Sequence, residues 1–186
     1  MPKIYDDLRE TIVQEAKSII VSRGYSKLNM REVAKASGIA VGTIYNYYPT
    51  KNDLLSELMY RYWMGFIAAI QQLQQSDCEL FVIFRKIYNL LESFLDTFKD
   101  TWLKVNEKDK GLAKDHHKQK QEVMDLFIDT LEQFIHKHKL EKGNSIKQEV
   151  SDRELAIFVV QNFILIAQMR QIEYDTFEMI LKSYLH

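Results

Sequence analysis

The chain has 186 residues, of which 46% are hydrophobic and 27% charged, as in ordinary globular proteins. It has six glycines and two prolines, which argues against an all-β sandwich or barrel because such folds need many turns. The single cysteine, Cys78, excludes an intrachain disulfide and a multi-cysteine zinc site. A net charge of −1 excludes a general polycation, so any nucleic-acid site has to be local.

The first predicted element is a helix with one apolar face. Its apolar residues recur at intervals of three and four, as helical packing requires: Leu8, Ile12, Ala16, Ile19 and Ile20. Gly24 follows, where a glycine easily adopts the left-handed conformation that ends a helix.

Two short helices are predicted next, over Met30–Ala36 and Val41–Tyr47. Asn29 precedes the first as an N-cap, and Pro49 ends the second. The dipeptide Ser37-Gly38 separates them, and we expect the small residues Ala36 and Gly38 to permit a close crossing of the two helices.

Beyond Pro49 the pattern stays helical. Thr50 and Asp53 open a helix that is predicted to reach about Gln75. We interpret the very polar residues 104–121 as an exposed connection, with room for a short helix. Further apolar periodicity predicts helices over residues 80–98, 123–135, 152–169 and 174–184, with a capping box at residues 151–154. With no confident strand, the predicted fold class is all-α with about nine helices, divided into domains 1–50 and 51–186.

Two short helices joined by a Ser-Gly turn are the pattern of a helix-turn-helix, whose second helix enters the major groove of DNA. The inner face is predicted to comprise Val33, Ala34, Ile39, Ile44 and Tyr48, and the outer face Val41, Gly42, Thr43, Tyr45, Asn46 and Tyr47. The hydroxyl groups of Thr43, Tyr45 and Tyr47 can donate hydrogen bonds to phosphate oxygens. A glycine inside a helix costs about 1 kcal/mol relative to alanine, which points to a close approach of another backbone.

Basic residues surround this face. Only one acid, Glu32, lies between residues 23 and 51, against five basic residues: Arg23, Lys27, Arg31, Lys35 and Lys51. Lys51 stands at the start of a helix, whose N–H groups and dipole also favour phosphate. Charge and spacing therefore leave two interpretations open: double-stranded DNA as a partner, or plain packing between two short helices.

Residues 29–55 resemble a known protein family specifically. The segment GIAVGTIYNYYPTKNDLL, residues 38–55, resembles the recognition-helix signature of TetR-type transcriptional regulators, and NMREVAKAS resembles the helix before it. The resemblance implies a two-fold dimer of nine-helix subunits, with DNA bound by three N-terminal helices and an inducer bound by the dimerising C-terminal domain. It implies DNA contacts at Gly42, Thr43, Tyr45, Tyr47 and Lys51, and phosphate contacts at Asn29 and Arg31.

The C-terminal domain is rich in aromatic residues, which usually form a core but also line apolar pockets. For a small apolar or aromatic inducer, the candidate pocket residues are Trp63, Phe66, Tyr88, Trp102 and Phe127. The helix over residues 152–169 is apolar nearly all round and needs cover on two sides. It is either a central buried helix or half of a homodimer interface with the last helix, through Phe158, Gln161, Leu165, Met169, Phe177, Ile180 and Leu181.

Other classes of function find less support. An enzyme would need a catalytic constellation or a glycine-rich phosphate loop, and a protein-interaction module would not need a basic face rich in tyrosine. The spacing of His116 with His117, and of His136 with His138, does not place two ligands on one helical face, so no metal or cofactor is expected. The most apolar run, Leu155–Ala167, is shorter than the roughly 18 residues of a membrane span. We expect a cytoplasmic protein without a membrane partner.

Overall fold

The computed structural model of the protein describes residues 8–107, 114–142 and 150–185, with side chains described for residues 8–96, 118–141 and 150–185. Eight α-helices and no strand lie in these ranges, which confirms the all-α prediction with eight helices against about nine expected. The helices are α1 (Leu8–Arg23), α2 (Met30–Ser37), α3 (Val41–Tyr47), α4 (Lys51–Gln72), α5 (Leu80–Glu107), α6 (Lys114–Lys142), α7 (Asp152–Met169) and α8 (Tyr174–Leu185). Single turns of 3₁₀-helix, Tyr25–Lys27 and Leu73–Gln75, follow α1 and α4.

The predicted helix ends are confirmed by their hydrogen bonds. Gly24 has a φ of 83°, the left-handed region that favours glycine. The side chain of Thr50 accepts the amide of Asp53, whose carboxylate accepts the amide of Thr50 at 2.8 Å. Ser151 and Glu154 form the same reciprocal box before α7. Short polar side chains therefore set where α4 and α7 begin.

The predicted polar connection over residues 104–121 is wrong at both ends. Residues 104–107 belong to α5 and residues 114–121 to α6, while residues 108–113 lie outside the described residues. Lysine, glutamine and glutamate have good intrinsic helix propensity, so an exposed polar sequence forms a helix without an apolar face of its own. Polarity alone indicated exposure and not the absence of a helix.

The chain folds into two compact units. The first comprises the described residues of Met1–Tyr62 and Thr97–His117, and the second those of Trp63–Asp96 and Lys118–His186. Fully buried side chains of the first unit include Ile12, Leu28, Ile44, Leu54, Leu55 and Leu58, and those of the second Ile67, Ile70, Phe84, Phe127 and Phe163. The domain boundary expected after residue 50 stays a prediction.

Candidate nucleic-acid interface

The turn between α2 and α3 is built by two specialised residues. Asn29 precedes α2, and its Oδ1 accepts the backbone amides of Arg31 and Glu32 at 3.1 and 2.9 Å. Gly38 ends α2 with a φ of 66° and donates its N–H to the carbonyl of Ala34. A Cβ built on Gly38 would meet nothing within 4 Å. The expected role of this glycine in a close helix crossing is therefore wrong, since its left-handed backbone is the reason for glycine here.

Replacing Gly38 tests this explanation of the turn. Gly38→Ala should lower the free energy of unfolding by about 1 kcal/mol, because an L-residue is strained at this φ. Gly38→Asn should lower it less, because asparagine tolerates the left-handed region. Denaturant unfolding of the three proteins measures the difference, and an alanine variant as stable as the parent protein would contradict the explanation.

The inner face of α3 is packed as predicted. Ile44 is fully buried, Tyr48 is 3% exposed, Val33 and Ala34 of α2 are buried, and Ile39 is half-buried. Burial raises the pKa of the Tyr48 phenol, and the nearby negative charge of Glu57 raises it further. The phenol therefore stays neutral and anchors the end of α3 in the first unit.

The outer face of α3 carries the predicted contact residues. Gly42, Tyr45 and Asn46 are exposed, Tyr45 to 47%, whereas Val41, Thr43 and Tyr47 are half-buried. A Cβ on Gly42 would meet no atom within 4 Å, so packing inside the subunit does not explain this glycine. One side of the helix is thus locked into the first unit while the other remains accessible.

The predicted phosphate-contact residues surround this face. Asn29 and Arg31 are exposed at the start of α2, although the side-chain oxygen of Asn29 is already used by the cap. Lys51 stands at the first position of α4, with its Nζ 4.1 Å from the ring centroid of Tyr25, a cation–π distance. Tyr25 was not anticipated, because nothing in the sequence pairs the 3₁₀ turn with α4.

A charged network was also not predicted. Arg61 of α4 bonds Glu57 at 2.7 Å and Glu10 of α1. A hydrogen bond from Gln14 and the charge of Arg61 hold the pKa of the Glu10 carboxyl below its usual value, against an opposing effect of burial. The network ties α4 to α1, the helix against which α2 packs.

The predicted pocket residues do not form one group. Trp63, Phe66 and Phe127 are buried together, with ring centroids 5.5 and 5.0 Å apart in successive pairs. Tyr88 packs instead against Phe163, at 5.8 Å, and burial raises the pKa of its phenol to about 12. The side chain of Trp102 lies outside the described residues. Phe94, 4.6 Å from Trp63, belongs to the first group. We call Trp63, Phe66, Phe94 and Phe127 the aromatic cluster.

An open groove lies elsewhere in the second unit. Its volume is about 760 Å³, and it is lined by α6 side chains between Asp129 and Glu141 and by Asp152 of α7. Four of the predicted pocket residues, Trp63, Phe66, Tyr88 and Phe127, are not among the described residues that line it. His136 is paired there with Asp152 at 2.9 Å, and among the described residues no group of three His, Cys, Asp or Glu side chains could hold a metal ion.

The predicted interface residues divide into two sets. Phe158, Leu165, Met169 and Ile180 are exposed large apolar side chains, and Gln161 is exposed beside them. Phe177 and Leu181 are buried inside their own unit, so they have almost no surface to offer a partner. Helical periodicity found the apolar positions of α8 without telling which side of the helix faces α7. Tyr184, expected at the same interface, is exposed too, and two further exposed apolar residues, Ile172 and Met179, were not predicted.

Known proteins resemble the chain most specifically in the region that contains α2 and α3. Residues 12–58 match the family described as bacterial regulatory proteins, tetR family. The matched segment contains α2, α3 and the start of α4, and therefore nearly all of the residues just described. Residues 12–58 are therefore a tetR-family domain. The tetR-family domain is a DNA-binding domain of transcriptional regulators, which confirms the family predicted from the sequence.

Sequence relatives extend beyond the tetR-family domain. The chain is 28% identical over 89 residues to an HTH-type transcriptional regulator of Haemophilus influenzae, with 48% of each chain aligned. It is 26% identical over 160 residues to the HTH-type transcriptional regulator YvdT of Bacillus subtilis, with 79% and 77% aligned. The matched segment thus spans about half the length of the first relative and about three quarters of the second. Both relatives are named as regulators and not as enzymes.

A solved structure shares the fold over nearly the whole chain. The transcriptional regulator FadR from Bacillus subtilis, in complex with stearoyl-CoA, superposes with a TM-score of 0.66 at 15% identity, over 95% of this chain and 97% of that one. At this identity the likeness concerns the fold alone. Every helix in the described ranges is too short or too polar to span a bilayer.

Proposed function

We propose that the protein is a ligand-responsive transcriptional repressor that binds a palindromic DNA operator as a homodimer. The observation that carries this proposal is the two-faced α3, with Ile44 fully buried and Tyr45 and Asn46 exposed on the opposite side. A helix fixed in this way can present the same side chains to every DNA site without reorganising. Two copies related by two-fold symmetry would place them in successive major grooves, roughly 34–36 Å apart.

The homodimer is supported by the exposed apolar surface of α7 and α8. Seven of the twelve exposed large apolar side chains in the described residues lie on α7, α8 and the turn between them, and we propose that they form one patch. Patches of this kind on a soluble protein mark interaction surfaces. A self-complementary patch also supplies the two-fold symmetry that a palindromic operator requires.

The inducer is proposed to be an apolar molecule bound among the aromatic cluster. The supporting observation is that four large aromatic side chains from α4, α5 and α6 meet in the second unit. The B. subtilis FadR structure, which shares the fold, holds stearoyl-CoA. An acyl chain is therefore the first ligand to test, by quenching of tryptophan fluorescence and by release of bound DNA. Only a ligand that binds the two states with different affinity can switch the protein.

We propose that α4 transmits the effect of inducer binding to α3. It begins at Lys51 in the first unit and continues through Trp63 into the second. A ligand that favours one tilt of α4 would change the spacing of the two α3 helices, with a typical coupling of about 1–3 kcal/mol. If a saturating inducer left operator affinity unchanged, this mechanism would be excluded.

Lys51 gives a direct test of DNA binding. In gel shifts with genomic fragments, Lys51→Ala should weaken binding to all sequences alike and make it less dependent on salt, because one phosphate is no longer neutralised. Lys86→Ala is the matched control, since it removes an exposed lysine from α5 and should leave DNA binding unchanged. Binding that does not depend on salt, or equal effects of the two variants, would favour an enzyme or a protein-interaction module instead.

A further inference from the structure

A second cation beside the recognition helix lies outside the residues matched by the family. Arg9 is the second residue of α1 in the described chain and is exposed. Its Cζ lies 5.7 Å from the ring centroid of Tyr47 and 5.7 Å from that of Tyr48. Both distances are within the range of a cation–π contact. The guanidinium is therefore held between the last residue of α3 and the residue after it.

The two tyrosines that contact this guanidinium differ in how deeply they are buried. Tyr48 is buried in the first unit and gives a fixed platform, whereas Tyr47 is half-buried and belongs to the outer face of α3. An arginine stacked on such a pair loses little further freedom when it binds a ligand, because its planar group is already oriented. Arg9 thus extends the outer face of α3 by one positive charge.

The charged residues around Arg9 differ in whether they are paired. Among the described residues its guanidinium forms no ion pair, whereas the adjacent Glu10 is engaged by Arg61 and Gln14. Arg23 and Arg61, two other arginines of the first unit, each contact a carboxylate. An oriented guanidinium beside a DNA-reading helix is suited to bidentate contact with phosphate oxygens.

We propose that Arg9 is a phosphate-binding residue, oriented by Tyr47 and Tyr48, that adds a DNA contact at the end of α3. This inference rests on the proposed function, because it needs the outer face of α3 to lie against DNA. The contact would anchor the start of α1 to the same DNA backbone that flanks the recognition helix, and so fix the angle at which α3 enters the groove.

The test is the salt dependence of DNA binding by the full chain. Arg9→Ala should reduce the slope of log affinity against log salt by about 0.9 for each phosphate that is no longer neutralised, or about 1.8 for the two copies of a dimer. Arg9→Lys should restore most of that slope, because the charge is retained. Arg9→Gln keeps a planar amide over the rings without the charge, and it replaces the alanine variant if that one fails to fold.

Lys17→Ala is the matched control. Lys17 is also a cation of α1 stacked on a tyrosine, with its Nζ 4.8 Å from the ring centroid of Tyr62, but that ring belongs to α4 and not to α3. Its removal should leave the slope unchanged. An equal fall of the slope in both variants, or a weaker affinity of Arg9→Ala at constant slope, would overturn the phosphate contact while leaving DNA binding intact. If the parent protein shows no salt-sensitive binding, the proposed function fails and this inference fails with it.

Discussion

Leu165→Glu is expected to convert the homodimer into a monomer and to lower operator affinity by about 100-fold or more. Leu165 is a residue of α7 that is 51% exposed and belongs to the proposed apolar patch of α7 and α8. Two carboxylates facing each other across a two-fold axis cost several kcal/mol, and each 1.4 kcal/mol or so is a factor of ten in affinity. Analytical ultracentrifugation and gel shifts measure the two effects together.

The matched control for this prediction is Leu140→Glu. Leu140 is an even more exposed leucine, at 70%, but it lies on α6, where it lines the open groove, and not on α7 or α8. This variant should remain dimeric with unchanged operator affinity. If Leu165→Glu stayed dimeric and bound DNA as tightly as this control, the patch would not be the dimer interface.

Gly42→Ala is expected to make the protein more stable and yet a weaker DNA binder. Alanine is favoured over glycine in a helix by about 0.5–1 kcal/mol, and a Cβ at this position would meet nothing inside the protein. The same methyl group would stand between α3 and a closely approaching DNA backbone. Operator affinity should therefore fall about tenfold or more, while the midpoint of thermal unfolding rises.

Gly65→Ala controls for the stability change. Gly65 is an exposed glycine of α4 with no atom within 4 Å of a Cβ, so its replacement should raise stability in the same way. Its operator affinity should be that of the parent protein. Equal affinities of the two alanine variants would mean that Gly42 has no part in DNA contact.

Local signals predicted the helix-turn-helix unit well. The bounds of α3 and α7 agree with those expected, since Pro49 and the cap at Ser151 act over a few residues. Alternating inner and outer positions on α3 also followed from helical spacing, because a helix of seven residues has room for only one buried face. This is why Ile44 and Tyr45 fall on opposite sides.

Contacts between distant segments could not be predicted in the same way. Arg9 stacks on Tyr47 and Tyr48, and Arg61 bonds Glu10, across separations that no local pattern encodes. The burial of Phe177 likewise depends on how α8 is rotated against its neighbours, which a periodic apolar stripe leaves open. The sequence therefore predicted the helix-turn-helix and left its supporting contacts undetermined.

Hydroxyl-radical footprinting of Tyr45 tests the central claim most directly. A duplex recovered from genomic fragments by the protein is added, and side-chain oxidation is measured by mass spectrometry with and without it. Tyr45, 47% exposed in the free protein, should become strongly protected, while the exposed Leu140 of α6 should react as before. Unchanged oxidation of Tyr45 in a protein saturated with bound duplex would contradict the account, because the outer face of α3 would then not be the DNA-reading surface.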